Sequence, residues 1–218
     1  AAAEMKERVA DIVGPAGRTM WVSTFHSACV RILRAEAHRL GVKSNFTIYD
    51  TQDSLRLITL ILRDFNIDAK NTKPRMLLSR ISSAKNELID HETFLSNTQL
   101  SAEKDAAIES VIAQVYREYQ NRLTIANAFD FDDLIGSTVA LMQLFPEVAN
   151  MYRRRFRHIM VDEYQDTNHA QYMLIKELVG TVAASADSPP PGELCVVGDA
   201  DQSIYAFRGA TIRNIEEF

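Results

Sequence analysis

The sequence predicts an α/β protein in which a parallel β-sheet is interrupted by a mostly helical insertion. Three short runs with β-strand character, at 20–23, 157–161 and 193–197, lie on either side of a helical block at 46–126. Two of these runs end in acidic residues, and open α/β sheets bind their ligands at the carboxyl ends of strands. A sheet domain with a helical insertion explains this uneven distribution of elements.

The composition is that of an ordinary globular protein, with 46% hydrophobic and 24% charged residues in a chain of 218. The formal net charge of −5 means that any nucleic-acid surface must be a local basic patch. The two cysteines, Cys29 and Cys195, lack the spacing of a zinc site and favour a reducing cytoplasm. No apolar run approaches the roughly 18 residues needed to span a membrane, so we expect no membrane partner.

The first part of the chain alternates between helical and extended patterns. Apolar spacing predicts a helix over Ala1–Val13, which ends at the glycines and proline that follow. Met20–Ser23 is predicted to be a strand, and Ser27–Leu40 a helix that stops at Gly41. Because the chain lacks an initiator Met and begins with this helical pattern, we expect it to be a piece of a longer protein.

The middle of the chain is predicted to be almost entirely helical. A short extended stretch, Phe46–Tyr49, precedes it, and Asp50 or Thr51 caps the first helix. Pro74 and Pro146 suit the first turns of two others. The predicted helices are Gln52–Phe65, Pro74–Leu88, Glu103–Ala126, Phe131–Leu144 and a short one from Pro146.

The stretch 157–168 carries the clearest chemical signal. Ile159, Met160 and Val161 predict a strand buried on both faces, and the strand stops at two adjacent carboxylates, Asp162 and Glu163. One acid can hold Mg²⁺ while its neighbour orients or deprotonates an attacking water. The alternative is a strand cap beside a surface acid.

A second strand, Glu193–Val197, also ends in a polar cluster that begins at Gly198 and Asp199. A predicted helix, His169–Val179, separates it from the first, so the two strands should lie side by side in a parallel sheet. The amide of Gln202 can donate and accept hydrogen bonds to a phosphate or a water.

Two aromatic residues follow this cluster. If the segment is extended, the rings of Tyr205 and Phe207 point to one side, and beside Arg208 they form a platform for stacked bases. The alternative is that both rings belong to the core.

Motifs along the whole chain support a family resemblance. VDEYQDTN at 161–168, followed by VVGDADQSIYAFRGA at 196–210, resembles motifs II and III of superfamily 1 DNA helicases of the UvrD/PcrA/Rep type. TFHS at 24–27, DFDDL at 130–134 and the opening AAAEM match the same family in the same order, and within the family the pattern resembles UvrD/PcrA-like repair helicases.

The resemblance implies a RecA-like P-loop NTPase fold with a helical inserted subdomain. It divides the chain into 1–45 (first part of domain 1A), 46–128 (inserted subdomain 1B) and 129–218 (the rest of domain 1A). It also implies ATP and Mg²⁺ as cofactors. On the nucleotide side, the resemblance implies that Asp162 would hold Mg²⁺, Glu163 would activate the hydrolytic water and Gln202 would sense the γ-phosphate.

The resemblance likewise implies contacts with single-stranded DNA. Tyr205 and Phe207 would contact bases and Arg208 would join the DNA and nucleotide sides. Phe207 stands where some relatives have Trp and keeps a stacking face without the indole N–H. The residues implied to lie along the single strand near its backbone are Thr24, Phe25 and His26.

Two further groups of charged residues can be explained by helix structure alone, and only the second is also expected to bind DNA. In DFDDL, Asp130 is predicted to be a helix N-cap, and Asp132 and Asp133 complement the helix dipole, so none of them is assigned to catalysis. The stretch Lys70–Lys85 is basic and contains no acid, and we expect Lys73, Arg75 and Arg80 to contact DNA phosphates at a single-strand/duplex junction. The alternative is a solvated helix face.

The resulting hypothesis is a fragment of an ATP-dependent 3′→5′ DNA helicase that acts in DNA repair, including nucleotide excision repair. We expect a bacterial, cytoplasmic and nucleoid-associated protein that contacts repair proteins. No G-x-x-x-x-G-K-[ST] motif occurs in these residues, so we expect the fragment alone to hydrolyse ATP negligibly. The alternatives are a non-catalytic DNA-binding or partner-docking module and part of a helicase–nuclease of the same superfamily.

Overall fold

The computed structural model describes residues 2–68, 72–100, 106–180, 189–199 and 201. These residues form nine α-helices: α1 (Ala2–Val13), α2 (Phe25–Glu36), α3 (Thr51–Asp64), α4 (Pro74–Asn86), α5 (His91–Leu100), α6 (Ala106–Ile125), α7 (Phe131–Leu144), α8 (Pro146–Arg155) and α9 (His169–Val179). Shorter 3₁₀ helices lie at Gly14–Arg18, Ala37–Leu40 and Tyr164–Asp166. No helix in these ranges is long and apolar enough to cross a membrane.

Four short strands form two parallel pairs in the described part of the chain. The strands are β1 (Thr47–Ile48), β2 (Ala128–Phe129), β3 (His158–Val161) and β4 (Glu193–Val196). β1 pairs with β2, and β3 pairs with β4 in a register that places Val161 opposite Val196. The predicted side-by-side, parallel arrangement of the two acid-bearing strands is therefore confirmed. A mostly helical chain with small parallel sheets is compatible with the predicted α/β class, whereas the RecA-like sheet stays a prediction.

Side-chain caps explain where three helices begin. Asp50, Asp130 and Asn168 precede α3, α7 and α9, and each accepts a hydrogen bond from a backbone N–H of the first turn. The side-chain oxygen of the third residue of each helix accepts a hydrogen bond from the N–H of the capping residue, which completes a capping box. The cap predicted at Asp130 is therefore confirmed, and of the two residues predicted as alternatives for α3, Asp50 and not Thr51 is the cap.

The largest hydrophobic core lies between α2, α7, α8 and α9. Its buried side chains include Leu33, Phe46, Leu141, Tyr152 and Leu174. Phe46 and Phe129 pack edge to face, with ring centroids 4.8 Å apart, beside the β1–β2 pair. This core surrounds the points where the chain enters and leaves the inserted helices.

Helices α3, α4 and α6 share a second core. Ile58, Leu77, Ile81, Tyr119 and Leu123 are all fully buried there. Most of the apolar positions that predicted α3 and α6 therefore lie in this core, whereas Phe65 and Ile108, predicted on the same sides, are exposed. The division of the chain into domains at 45/46 and 128/129 stays a prediction.

The β3–β4 pair is covered on one face. Ile159, Val161, Leu194 and Val196 pack with Ile175 of α9. On the opposite face, His158, Glu193 and Cys195 are exposed, and Met160 is 78% exposed. The prediction that this strand is buried on both faces is wrong for the described residues, because helix packing covers only the face that carries Ile159 and Val161.

The strand predicted at Met20–Ser23 is also absent from the described structure. Within the described ranges no strand pairs with this run, and a strand needs a neighbour to satisfy its backbone. Trp21 packs edge-on against Tyr152 and Phe156, with ring centroids 6.5 and 4.9 Å away. α2 begins at Phe25, two residues earlier than predicted, because Thr24 is its N-cap.

Candidate functional site

The carboxyl ends of β3 and β4 bring acidic residues to one edge of the sheet. The backbone pairing continues one step beyond the strands, since the Val197 N–H donates to the Val161 carbonyl (2.8 Å) and the Tyr164 N–H donates to the Val197 carbonyl (2.9 Å). Asp162 and Glu163 follow β3, and Asp199 follows β4 by three residues. The pairing therefore holds the two polar segments next to each other.

Glu163 forms a sharp turn directly after β3. Its backbone is left-handed, with φ 53° and ψ 42°, a conformation that costs a residue with a side chain roughly 1–2 kcal/mol. The Glu163 N–H donates to Asp162 Oδ1 (3.0 Å), and the Glu163 carbonyl accepts the Asp166 N–H (3.0 Å). The turn leaves the side chains of Asp162 and Glu163 exposed at the edge of the sheet.

Gln165 joins the two strand ends through its side-chain amide. Its Nε2 donates to Glu163 Oε2 (2.7 Å), and its Oε1 accepts the backbone N–H of Asp199 (3.0 Å). The side chain is 1% exposed, so both hydrogen bonds are shielded from competing water. Gln165 therefore fixes the Glu163 carboxylate relative to the segment that follows β4.

No role for Gln165 was predicted from the sequence. The sequence feature that could have indicated a role for Gln165 was its position two residues after Glu163. In the structure this position lies within the 3₁₀ turn that follows the acids. That signal is weak, because the partner at Asp199 lies 34 positions away and is brought close only by the pairing of β3 with β4.

Gly198 lets the two segments approach closely. A Cβ atom at this position would lie 2.6 Å from Gln165 Oε1 and 3.2 Å from the Gln165 backbone nitrogen. The first distance is far inside van der Waals contact, so any larger residue would displace the Gln165 amide. Glycine at 198 is therefore needed for the link between Gln165 and Asp199.

Asp162 is the side chain best suited to hold Mg²⁺ at this edge. Its carboxylate is exposed, and its Oδ1 already accepts the Glu163 N–H. Across the described ranges, no group of three or more His, Cys, Asp or Glu side chains is arranged to hold a metal ion. Mg²⁺ in nucleotide sites is commonly bound by one or two carboxylates, with waters and phosphate oxygens completing its shell. The side chains present therefore fit a Mg²⁺ ion that is bound together with a nucleotide.

Thr24, Phe25 and His26 form the start of α2. Thr24 Oγ1 accepts the Ser27 N–H (3.3 Å) as the helix cap. Phe25 packs against both the main core and the cluster under β3 and β4. It therefore connects this helix start to the sheet that carries the acids.

His26 is partly buried and stands edge-on to Phe131, with ring centroids 5.8 Å apart. Burial lowers the pKa of His26 below its usual value, which favours the neutral ring at physiological pH. The ring of Phe131 is 47% exposed.

Four predicted site residues lie outside the described residues. These are Gln202, Tyr205, Phe207 and Arg208. Their roles stay predictions that follow from the family resemblance.

The predicted DNA-contacting cations lie along α4, away from the acids. Lys73 precedes this helix and Arg75 lies in its first turn, and both are exposed. Arg80 is half-exposed and forms an ion pair with Glu109 of α6. The structure therefore does not bring these residues together with Asp162 and Glu163.

Lys85, at the end of the same basic stretch, is buried where α4, α6 and α7 meet. Its Nζ lies 2.7 Å from Asp130 Oδ2 and 2.8 Å from Asp133 Oδ1. The Tyr119 hydroxyl donates to Asp130 Oδ2 (3.0 Å). Burial disfavours the charge on Lys85, but Asp133 and Asp130 outweigh it, and the pKa of the lysine is raised. Lys85 is therefore a structural cation and not part of an exposed basic face.

Comparisons with known proteins show which family the chain belongs to. The family model described as the UvrD/REP helicase N-terminal domain matches residues 1–218. The chain is 61% identical over 220 residues to the ATP-dependent DNA helicase UvrD1 of Mycobacterium tuberculosis. It is 49% identical over 218 residues to the ATP-dependent DNA helicase PcrA of Bacillus subtilis, and 47% identical over 220 residues to PcrA of Staphylococcus aureus. Each alignment covers 100% of this chain and 28% of the relative, so the chain spans just over a quarter of the length of these relatives.

Proposed function

The chain belongs to the UvrD/REP helicase N-terminal domain family, and on that basis we propose that it is part of an ATP-dependent DNA helicase. The whole protein would couple hydrolysis of Mg²⁺-ATP to 3′→5′ movement along single-stranded DNA and to unwinding at single-strand/duplex junctions. Its biological role would be DNA repair in the bacterial cytoplasm, including nucleotide excision repair, in contact with other repair proteins.

The observation that carries this proposal is the Gln165 link between the two strand ends. Hydrolysis requires a carboxylate held in one orientation beside the phosphates, because a base must lie within hydrogen-bond reach of the proton that it accepts. Gln165 holds the Glu163 carboxylate by its Oε2. Glu163 Oε1 would therefore be the atom that orients the hydrolytic water and receives its proton.

Asp162 has a different role in the same site. Its carboxylate would bind Mg²⁺, which when bound neutralises the charge that develops on the phosphate oxygens. The hydrogen bond from the Glu163 N–H to Asp162 Oδ1 keeps the two acids in a constant relative orientation. Asp162 would thus position the nucleotide, and Glu163 would act on the water.

The residues outside the described ranges would complete the site. Gln202 would sense the γ-phosphate, Tyr205 and Phe207 would contact bases, and Arg208 would join the nucleotide and DNA sides. The cap of α2, with Thr24, Phe25 and His26, would lie along the DNA single strand. Phe25 supports this placement, because it packs against the cluster under β3 and β4.

We test the function by measuring ATP hydrolysis of the full-length protein with and without single-stranded DNA. Removal of a general base typically lowers the rate by about 10²–10⁴-fold, and we expect Glu163→Gln to lose the DNA-stimulated activity to that extent. Glu92→Gln, an exposed acid on α5, is the matched control and should behave as wild type. Strong DNA stimulation in the wild type that is lost in Glu163→Gln would support a DNA-driven motor.

Other outcomes point to the alternatives. DNA binding without stimulated hydrolysis would favour a non-catalytic binding or docking module. DNA cleavage by the full-length protein would favour a helicase–nuclease. Hydrolysis by the isolated chain that Glu163→Gln abolishes would contradict our expectation that this chain alone is inactive.

We also propose that the exposed end of α4 contacts DNA phosphates at a junction. Lys73 and Arg75 would carry most of this contact, because Arg80 is already paired with Glu109. Each phosphate contact contributes about 0.7–0.9 to the slope of log K against log salt concentration. Replacing Lys73, Arg75 and Arg80 by Ala is therefore expected to flatten the slope for junction DNA by one to three such contacts.

A matched control removes the same charge elsewhere. Lys6, Arg8 and Arg18 are exposed near α1, and their replacement by Ala should leave the slope closer to the wild-type value. An unchanged slope in the α4 variant would show that this helix end is only a solvated face.

A further inference from the structure

The C-terminal end of α4 is fixed to the segment that carries the acids. Asn86 is the last residue of α4, and its Oδ1 accepts a hydrogen bond from Asn168 Nδ2 (2.7 Å). Asn168 follows the Tyr164–Asp166 turn by two residues and caps α9. The two asparagines are 82 positions apart in the chain and belong to the inserted helices and to the β3–α9 segment. They form a direct polar contact between these two parts of the molecule.

The same end of α4 is held on a second side. Lys85, next to Asn86, forms its two ion pairs with Asp130 and Asp133 at the start of α7. Two neighbouring residues of α4 thus contact the starts of two different helices, α7 and α9. A displacement of the turn after β3 would be transmitted to α4 rather than absorbed by a loose helix end.

The opposite end of α4 carries the cations assigned to DNA. A helix of 13 residues is roughly 20 Å long at about 1.5 Å per residue. Lys73 and Arg75 lie at the far end of this length from Asn86. α4 therefore spans the distance between the nucleotide side of the molecule and the exposed basic end.

We propose that Asn86 and Asn168 are positioning residues that couple the nucleotide site to the DNA-contacting end of α4. The hydrogen bond between them transmits changes in the Glu163–Gln165 turn to the helix, and DNA bound at Lys73 and Arg75 acts on the turn through the same contact. This inference rests on the proposed function, because it concerns how DNA stimulates hydrolysis at Glu163.

The chemistry of the pair allows a sharp test. In Asn86→Asp the new carboxylate still accepts from Asn168 Nδ2. In Asn168→Asp the hydrogen bond is also retained once the Asn86 amide turns to donate, and a carboxylate at position 168 still caps α9, because Asp is as good an N-cap as Asn. Only the double variant, Asn86→Asp with Asn168→Asp, opposes two acceptors and loses the hydrogen bond. The two changes should therefore be strongly non-additive.

The experiment uses the full-length protein and measures ATP hydrolysis with and without junction DNA, base pairs unwound per ATP, and the melting temperature. Each single variant should keep the stimulation by DNA within about twofold of wild type. The double variant should lose about tenfold of that stimulation, with basal hydrolysis unchanged and fewer base pairs unwound per ATP. Asn86→Ala removes the same hydrogen bond without added charge and should reproduce the double variant if the latter fails to fold.

The outcomes separate this inference from the proposed function. Wild-type stimulation in the double variant and in Asn86→Ala would overturn the coupling role and leave the helicase proposal intact. An equal loss of basal and stimulated hydrolysis would show that the contact is merely structural. Absence of DNA stimulation in the wild-type protein would overturn both proposals.

Discussion

Gln165 shows how one buried amide can organise a site whose acids are exposed. Its two hydrogen bonds use a donor and an acceptor in opposite directions, one toward Glu163 and one toward Asp199. Neither Glu nor Leu can do both, since Glu lacks the donor and Leu lacks both groups. The identity of this residue is therefore set by the need to join a carboxylate to a backbone N–H.

Gln165→Glu tests this role with almost no change in shape. The variant can still accept from Asp199, but it places a second carboxylate against Glu163 and removes the donor that orients it. We expect DNA-stimulated kcat of the full-length protein to fall by about 10- to 100-fold, within the range that misplacing a catalytic group can cost.

The control for this variant lies six residues further along. Gln171 completes the capping box of α9, and Glu serves equally well at that position of a capping box. Gln171→Glu should therefore keep wild-type kcat. A wild-type kcat in Gln165→Glu would mean that Glu163 needs no orientation by its neighbour.

For individual residues, the positions of the acids could be predicted from the sequence, whereas the hydrogen bonds that hold them in place could not. Asp162 and Glu163 follow an apolar run, and Glu193–Val197 ends in a similar way, so their meeting at one edge follows from parallel pairing. The role of Gln165 depends on a contact made only after folding. Lys85 resembled Lys73 and Arg75 in the sequence, and burial alone distinguishes the structural cation from the exposed ones.

Among the elements, the start of α7 combines a helix cap with a concentration of buried charge. Asp130 and Asp133 form the capping box and also hold Lys85. Asp132, between them, is mostly buried without a lysine at salt-bridge distance in the described structure. Burial, together with the charge of Asp130, raises the pKa of Asp132 to about 6.

This raised pKa has a defined effect on stability. Between the ordinary value of about 4 and the raised value of about 6, the folded state holds a proton on Asp132 that the unfolded chain has released. The contribution of Asp132 is therefore favourable below pH 4 and is lost as the pH rises through 6. Above pH 6 the buried carboxylate lowers the free energy of unfolding by a constant amount.

Asp132→Asn should remove this penalty while keeping a side chain of the same shape that can bond to Ser82. We expect the variant to be more stable than wild type at pH 7 by about 1 kcal/mol, after allowance for its partial exposure. Urea denaturation at pH 4.5 and 7.5 measures the change, and the gain should shrink at the lower pH. An equal gain at both pH values would contradict the assignment to this carboxyl.

The elements themselves were predictable where local chemistry decides. The helices that follow Asp50 and Asp130 begin where the caps predict, and Gly41, with a positive φ of 74°, ends the segment after α2. α5 was not predicted, because the sequence HETFLSNTQL has no clear apolar face. The strand predicted at Met20–Ser23 was wrong because a short apolar run does not reveal whether a neighbouring strand is present.

At the scale of the molecule, the two larger hydrophobic cores of the described residues consist of different sets of helices. One lies among α2, α7, α8 and α9, and the other among α3, α4 and α6. The β1–β2 pair and the ion cluster around Lys85 lie between them. The Tyr119 hydroxyl, which also contacts Ser54 Oγ (2.9 Å), extends this polar network into the inserted helices.

Lys85→Met should weaken the junction between the cores. Removal of one partner from a buried ion cluster typically costs about 3–5 kcal/mol, because the remaining charges are left uncompensated. We expect a loss of that size at pH 7 in urea denaturation followed by circular dichroism. Lys73→Met, a substitution of an exposed lysine at the other end of α4, should change stability by less than about 0.5 kcal/mol. Equal effects of the two substitutions would show that the cluster does not stabilise the fold.

The β1–β2 pair has a consequence for the redesign of this chain. The backbone departs after Ile48 and returns before Ala128 through adjacent strands, which lie about 5 Å apart. Because β1 and β2 are parallel, residues 49–127 could be excised only if a crossover connection of about a dozen or more residues replaced them. Excision would also remove Lys85, the cation that binds Asp130 and Asp133, so a viable deletion must replace both acids with neutral residues in the same step. Any redesign that removes or transplants residues 49–127 must therefore treat Lys85 and the two acids that bind it as one unit.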